Sequence, residues 1–239
     1  MGAERQRGGF PTTRWSLLAR AGDENAEARR AALEVLLAAY LPALRTHLVR
    51  ARRCTAEEAD DVLQSFVAER ILARSLVSRA APSAGRFRSY VLKALENHLR
   101  TERGRSALRR EQPTTEHTEE PSAEASPTEL FERAWAREVI DETLRRMQAE
   151  CEERGLRQHW LVFEARIVGP ALRGEPAPGY GDLQNSIGFA SPREGTNLLV
   201  TAKRAFQRHL RDVVALYSDD AEVDSEIREL RAALEGGGA

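Results

Sequence analysis

Apolar residues recur at helical spacing along most of the chain. In the first strongly patterned segment they follow one another at steps of one, three and four, at Leu33, Leu36, Leu37, Tyr40, Leu41, Leu44 and Leu48. This spacing puts one apolar stripe on one side of an α-helix. Runs of β-branched residues are missing, while Ala, Leu, Arg and Glu, which favour helices, are abundant. The pattern predicts an all-α protein.

Two further helices are predicted in the first half. Thr55-Ala56-Glu57-Glu58 has the form of a capping box, in which Thr55 and Glu58 satisfy each other's free backbone donors. The helix that follows has its predicted buried face at Ala59, Val62, Leu63, Phe66, Val67 and Ile71. The third helix has its apolar stripe at Phe87, Val91, Leu92, Leu95 and Leu99. We assign residues 10–110 to a first small helical domain.

A segment rich in Pro, Thr, Ser and Glu follows at residues 111–128. It has few apolar groups to offset the entropy cost of ordering, which predicts a linker. A second helical domain is predicted at 129–217. In it, Gly155 ends the first helix, and Gly169-Pro170 ends the next. Residues 218–239 form an acidic tail with an amphipathic stretch that packs on the second domain or binds a regulator.

The end of the second domain has the pattern of a helix-turn-helix at residues 180–212. A short helix at 180–187 is followed by a turn at Gly188-Phe189-Ala190. The next helix begins with Ser191 as N-cap, Pro192 at the first position and Glu194 at the third. A short helix, a glycine turn and a longer helix with a polar, basic outer face are typical of this DNA-binding motif.

The outer face of the second helix carries the candidate DNA contacts. Arg193, Asn197 and Thr201 lie near its start, where side chains reach base edges, and Arg and Asn pair with guanine and adenine edges. Arg204, Arg208 and Arg211 lie further along and are predicted to contact phosphates. The full candidate set on this helix is Arg193, Thr196, Asn197, Thr201, Lys203, Arg204, Arg208 and Arg211. The alternative is an ordinary helical corner with a solvated basic face.

Charge is segregated along the chain. The whole sequence has 36 Lys and Arg against 37 Asp and Glu, but residues 86–110 contain eight Lys or Arg against two Glu. Aromatic residues interleave with these cations, a combination that suits single-stranded or melted nucleic acid. Residues 111–129 contain six Glu and no Lys or Arg. The alternative is a surface helix whose arginines pair with this acidic segment.

Four acids, Glu57, Glu58, Asp60 and Asp61, cluster at the start of the second helix. Beside an apolar stripe they favour docking of a basic protein partner. A Mg²⁺ site of the kind found in helical nucleotide pyrophosphatases is a remote alternative, because hard cations prefer adjacent carboxylates. The partner acidic cluster of such enzymes is missing on the next helix. The helix macrodipole alone also favours acids at this position.

No enzymatic motif was found. HExxH, the phosphate-binding GxxxxGK[ST] and a GxGxxG after a strand are absent from the sequence. Five histidines lie far apart, and Cys54 and Cys151 resemble small hydrophobic residues. We therefore predict no enzymatic activity, cofactor or metal. Without a long apolar run or an apolar segment after the first residues, the chain is expected to be cytoplasmic and reduced.

Four motifs, taken in order, extend along nearly the whole chain, the last of them in two parts. They are Phe10-Pro11-Thr12-Thr13-Arg14-Trp15-Ser16-Leu17, Ala56-Glu57-Glu58-Ala59-Asp60-Asp61-Val62-Leu63-Gln64-Ser65-Phe66, Gly85-Arg86-Phe87-Arg88-Ser89-Tyr90, and Tyr180-Gly181-Asp182-Leu183 with Thr196-Asn197-Leu198-Leu199. Together they resemble the extracytoplasmic-function (ECF) type of bacterial RNA polymerase sigma factor, in a subgroup common in planctomycetes.

The resemblance implies a role for each segment. The acidic helix would dock on the clamp helices of the largest subunit of core RNA polymerase, through Glu58, Asp60, Asp61, Gln64 and Phe66. The basic helix would bind and melt the −10 promoter element, through Arg100, Thr101, Arg103 and Arg105. The helix-turn-helix would read the −35 element beside the flap of the second-largest subunit, and the acidic linker would thread the polymerase.

The resemblance also leaves alternatives open. Regulation by an anti-sigma factor or by a kinase is consistent with the family. A free-standing helix-turn-helix regulator has the same DNA-binding motif but no need for Asp60, Asp61 and Gln64. The third alternative is the metal-dependent pyrophosphatase, whose test is hydrolysis of nucleoside triphosphates with Mg²⁺.

Overall fold

The computed structural model describes Ala21 and residues 25–72, 87–110 and 126–236. Within these residues 87% are helical, in eight α-helices and no strands, which confirms the all-α prediction. The helices are α1 (Ala26–Ala51), α2 (Ala56–Phe66), α3 (Phe87–Arg110), α4 (Pro127–Glu153), α5 (Arg157–Phe163), α6 (Tyr180–Ile187), α7 (Pro192–Ala215) and α8 (Val223–Glu235). π-Helical turns continue α2 through Val67–Leu72 and α5 through Glu164–Arg173.

By its contacts the chain divides into two compact units. Unit 1 comprises Met1–Glu138 and Val214–Ala239, and unit 2 comprises Val139–Val213. These bounds differ from the predicted domains, because the first part of α4 and the tail helix α8 belong to unit 1. The tail was expected to pack on the second domain or to bind a regulator, whereas its helix α8 belongs by its contacts to unit 1.

The core of unit 1 uses the apolar stripes that the sequence predicted. From α1 it buries Leu33, Leu36, Tyr40, Leu44 and Leu48. From α2 and its continuation it buries Ala59, Leu63, Phe66 and Ile71, and from α3 it buries Phe87, Val91, Leu92, Leu95 and Leu99. By length and composition α1 could cross a membrane, since an 18-residue window reaches a mean hydropathy of 1.3. Its apolar stripe, however, packs in this core.

The tail helix α8 joins unit 1 through a buried ion cluster. Arg88 is 3% exposed, and Glu226 of α8, which it contacts through Nη1, is 0% exposed. Two more carboxylates complete the cluster, Glu132 at 2.9 Å and Glu229 at 3.3 Å from the same guanidinium. Because removing one member of such a cluster strands a buried charge, α8 is an integral part of unit 1.

The linker prediction falls mostly outside the described part of the chain, which leaves out residues 111–125. Its last residues are structured, because α4 begins at Pro127. Ser126 forms a capping box with Glu129: the Glu129 carboxylate accepts from Ser126 N at 2.7 Å, and Ser126 Oγ accepts from Glu129 N at 3.3 Å. Residues 126–128, which the prediction assigned to the linker, therefore belong to α4 and its cap.

Unit 2 is built around α5, α6 and α7. Gly155, with φ of 68°, follows the end of α4 as predicted. The predicted stop at Gly169-Pro170 is wrong, because the helical segment continues to Arg173 and ends at Gly174 with φ of 68°. The buried residues of its core are Met147, Cys151, Val162, Phe163, Val168, Leu183, Phe189, Leu198, Leu199 and Ala202. The burial of Cys151 agrees with its assignment as a small hydrophobic residue.

Candidate functional site

The predicted short helix, turn and long helix are present in unit 2. Helix α6 ends at Gly188, whose φ of 83° is a conformation that favours glycine. Ser191 Oγ accepts a hydrogen bond from Glu194 N at 3.3 Å, and the Glu194 carboxylate accepts one from Ala190 N at 2.6 Å. Gln184 Nε2 donates to Ala190 O at 3.2 Å. These bonds fix the direction in which α7 leaves the turn.

Close packing beneath the turn sets how α6 and α7 meet. Phe189 is 4% exposed and belongs to the core of the unit. Gly195, in the first turn of α7, lies against this ring, and an added Cβ would be 2.8 Å from Phe189 and 2.9 Å from Tyr180. Glycine is therefore the residue that lets α7 approach the turn so closely.

The outer face of α7 presents every side chain that the sequence proposed for it. All eight are exposed, namely Arg193, Thr196, Asn197, Thr201, Lys203, Arg204, Arg208 and Arg211. Val200 lies on the same face between Asn197 and Arg204, and it is 44% exposed. Sequence reasoning missed Val200, although its position three residues after Asn197 places it on the outer stripe.

One of these cations is engaged within unit 2. Arg208 forms an ion pair with Glu150, which also accepts from Arg154 Nη1 at 2.7 Å and lies 2.6 Å from His209 Nε2. The hydrogen bonds from Arg154 and His209 lower the pKa of Glu150 to about 2. Glu150 is therefore ionised near neutral pH and offsets part of the positive charge at this end of α7.

In unit 1 the acidic cluster of α2 is divided between structural and exposed side chains. The capping box is confirmed, with Glu58 N donating to Thr55 Oγ1 at 3.2 Å and Thr55 N donating to the Glu58 carboxylate at 2.8 Å. Both oxygens of Asp60 accept from Arg45, at 2.6 and 2.9 Å, which lowers the pKa of Asp60. Asp61 and Gln64 are exposed on the same helix.

Phe66 does not lie on the exposed surface of α2. It is 0% exposed and its ring packs 5.7 Å from that of His98. The prediction that Phe66 itself contacts a partner is therefore corrected: its position on the apolar stripe of α2 places it in the core, from where it supports the exposed face.

The four candidate side chains of α3 are all exposed. Arg100 Nη1 donates to Asn97 Oδ1 at 3.2 Å, and the Thr101 hydroxyl donates to the backbone carbonyl of Asn97 at 2.9 Å. Arg103 Nη2 donates to the carbonyl of Arg52 at 3.1 Å, and Arg105 Nη1 donates to Glu102 at 2.7 Å. All four side chains are accessible, but Arg103 lies on the side of α3 next to Arg52 and Arg105 lies on the side next to Glu69.

Two other motifs of the resemblance lie outside the described residues. These are the opening segment at 10–17 and the residues Gly85-Arg86 that precede α3. Comparison of the chain with protein families, with curated proteins and with solved structures finds no match.

Proposed function

We propose that this protein is a sigma factor that binds core RNA polymerase and directs it to specific promoters. The observation that carries the proposal is the exposed face of α7, presented by a helix-turn-helix. A second feature supports it: unit 1 exposes an acidic helix, α2, and a basic one, α3. This pairing suits a protein that contacts both a basic protein surface and DNA.

In this proposal α7 reads the −35 element from the major groove. Arg193 and Asn197 lie near its start, where a recognition helix contacts base edges. Val200 adds an exposed apolar group suited to the methyl group of thymine. Arg204 contacts phosphate and sets the register of the helix. Arg208 adds less to affinity because Glu150 competes for it.

The exposed side of α2 is the proposed contact with the polymerase clamp. Asp61 and Gln64 supply its accessible polar groups, and Asp60 is held in place by Arg45. The exposed cations of α3 are proposed to hold the strands of the −10 element, since arginines neutralise phosphates on melted DNA.

Charge reversal at Asp61 tests the polymerase contact. We expect Asp61→Arg to abolish co-elution with bacterial core RNA polymerase in size-exclusion chromatography, because it puts a cation on the surface proposed to meet a basic partner. Salt-dependent DNA binding through α7 is expected to be unchanged. Glu27→Arg is the control, since Glu27 is an exposed acid on another helix of unit 1. It is expected to bind polymerase like the wild type.

The outcomes separate the candidate functions. DNA binding by a wild-type protein that fails to co-elute with polymerase favours the free-standing regulator, which the same helix-turn-helix supports. Equal loss of polymerase and DNA binding in Asp61→Arg shows that the acidic face is structural. Hydrolysis of nucleoside triphosphates with Mg²⁺ favours the pyrophosphatase.

Substitutions on α7 test the promoter contact. Arg193→Ala and Asn197→Ala are each expected to cost about 1–3 kcal/mol of binding at one base position and to relax specificity there. Arg204→Ala is expected to weaken binding to all sequences alike and to reduce its salt dependence. The measurement is binding of the full chain to a promoter library at two salt concentrations. A change of sequence preference in Arg204→Ala contradicts the proposed orientation of α7.

A further inference from the structure

A histidine and two carboxylates meet where the π-helical end of α2 lies beside α3. Glu69 comes from Val67–Leu72, while His98 and Glu102 are one turn apart on α3. One ligand atom from each residue lies within 4.8 Å of the other two. His98 Nδ1 is 3.9 Å from the Glu69 carboxylate. The sequence analysis predicted no metal, and none of these three residues is among those of the proposed function, although Arg105, a proposed DNA contact, touches both glutamates.

Ser65 is the hydrogen-bond partner of one ring nitrogen of His98. Its Oγ lies 2.8 Å from His98 Nε2 and 3.0 Å from the carbonyl of Val62. A hydroxyl has one hydrogen, and when Ser65 donates it to that carbonyl, Oγ accepts from Nε2–H. In the neutral ring the lone pair then lies on Nδ1, the atom that faces the two glutamates.

This lone pair has no hydrogen-bond partner among the described residues. The His98 side chain is 1% exposed, so water does not satisfy it from the surface. A buried acceptor that faces two carboxylates is unfavourable unless a cation reaches the acceptor itself.

Arg105 neutralises only part of this site. Its Nη1 is 2.7 Å from Glu102 and 3.8 Å from Glu69. Its side chain is 52% exposed, so it can leave the carboxylates without disturbing the core. It bridges the two glutamates but leaves His98 Nδ1 unpartnered.

We propose that Glu69, His98 and Glu102 form a site for a divalent transition-metal ion of the zinc type. One imidazole nitrogen, two carboxylate oxygens and a water make a four-coordinate set that zinc accepts. An imidazole ligand disfavours Mg²⁺ and Ca²⁺, which prefer oxygen. Ser65 supplies the outer hydrogen bond that orients a metal-binding histidine.

The geometry needs only small side-chain movements. Zinc bonds of about 2.0–2.2 Å put ligand atoms roughly 3.4 Å apart. The glutamate side chains are 48% and 32% exposed, so both can turn inward while His98 remains fixed in the core. The bound ion joins the end of α2 to α3.

Calorimetric titration of ZnCl₂ into the full chain, without an affinity tag and in chelator-treated buffer, tests the site. We expect one zinc ion per chain. Glu69→Gln and Glu102→Gln are each expected to weaken binding at least tenfold, since loss of even an orienting partner costs about 10–100-fold. Arg105→Ala is expected to strengthen binding because it removes the competing cation.

Glu150→Gln is the matched control. Glu150 also lies beside a histidine, His209, but it forms no part of the Glu69–His98–Glu102 site. It is expected to bind zinc like the wild type. His98 is buried and its replacement endangers folding, so the two partly exposed glutamates carry the test. Zinc should also raise the Tm of the wild type and not that of the glutamine variants. No zinc binding by the wild type, or unchanged affinity in either glutamine variant, overturns the proposal.

Discussion

Replacing Glu226 by leucine is expected to lower the free energy of unfolding by about 3 kcal/mol. Breaking a buried ion pair typically costs about 3–5 kcal/mol because the remaining charge stays buried. In Glu226→Leu the charge that stays buried is Arg88, which is 3% exposed. We expect the lower end of this energy range because Glu132 and Glu229 still contact Arg88. The Tyr217 hydroxyl, 3.5 Å from the Glu226 carboxylate, loses the same partner. Urea unfolding followed by circular dichroism measures the change.

Two further variants separate the charge effect from simple loss of packing. Glu229→Gln, at the 26% exposed edge of the cluster, is expected to cost less than about 1 kcal/mol. The double variant Arg88→Met with Glu226→Leu removes the two buried charges and leaves Glu132 and Glu229, 22% and 26% exposed, without their cation. It is therefore expected to recover part of the loss, as replaced buried ion pairs do. Equal losses for Glu226→Leu and Glu229→Gln, or no recovery in the double variant, contradict this account.

The helices were predictable because apolar spacing and capping residues within each short segment are enough to indicate them. Apolar residues at helical spacing on α1, α2 and α3 are the ones that the structure buries. The caps at Thr55 and Ser191 were recognised from their sequence. Ser126-Pro127-Thr128-Glu129 has the same pattern and caps α4, but its proline and threonine also fit the composition of a linker.

The end of α5 was not predictable from local breakers. Gly169 and Pro170 favour a stop, but the helical segment continues through them in π-helical turns. In such turns the backbone bonds run from residue i to i+5. Pro170 has no N–H to donate in either bonding pattern, but burial of Val168 holds the segment against the core.

Contacts between distant residues could not be predicted from one sequence. Arg88 and Glu226 are 138 positions apart, and nothing in the charge pattern pairs them. In the candidate metal site, the spacing of His98 and Glu102 by four residues on one helix was a visible signal. The third residue, Glu69, comes from another helix, so only the folded chain brings the three together.

Replacing Trp135 by alanine is expected to destabilise unit 1 by about 3–5 kcal/mol, the usual cost of removing a buried tryptophan. Trp135 is 1% exposed. Its ring stacks on Tyr40 of α1 with centroids 4.7 Å apart, and meets the edge of Tyr217 at 5.0 Å. The side chain therefore ties α1 and α4 to the segment that leads into α8.

Amide hydrogen exchange followed by mass spectrometry locates the effect of Trp135→Ala, and urea unfolding gives its size. Exchange is expected to become faster in α1 and α8 of unit 1, while α6 and α7 of unit 2 keep the protection of the wild type. Trp160→Ala is the control, because Trp160 is a half-buried tryptophan beside the core of unit 2. Trp160→Ala should speed exchange in α6 and α7 and leave α1 and α8 protected. It should also lower the free energy of unfolding by less than Trp135→Ala does. If Trp135→Ala speeds exchange equally in both units, then the two do not unfold separately, and the division seen in the contacts has no energetic counterpart.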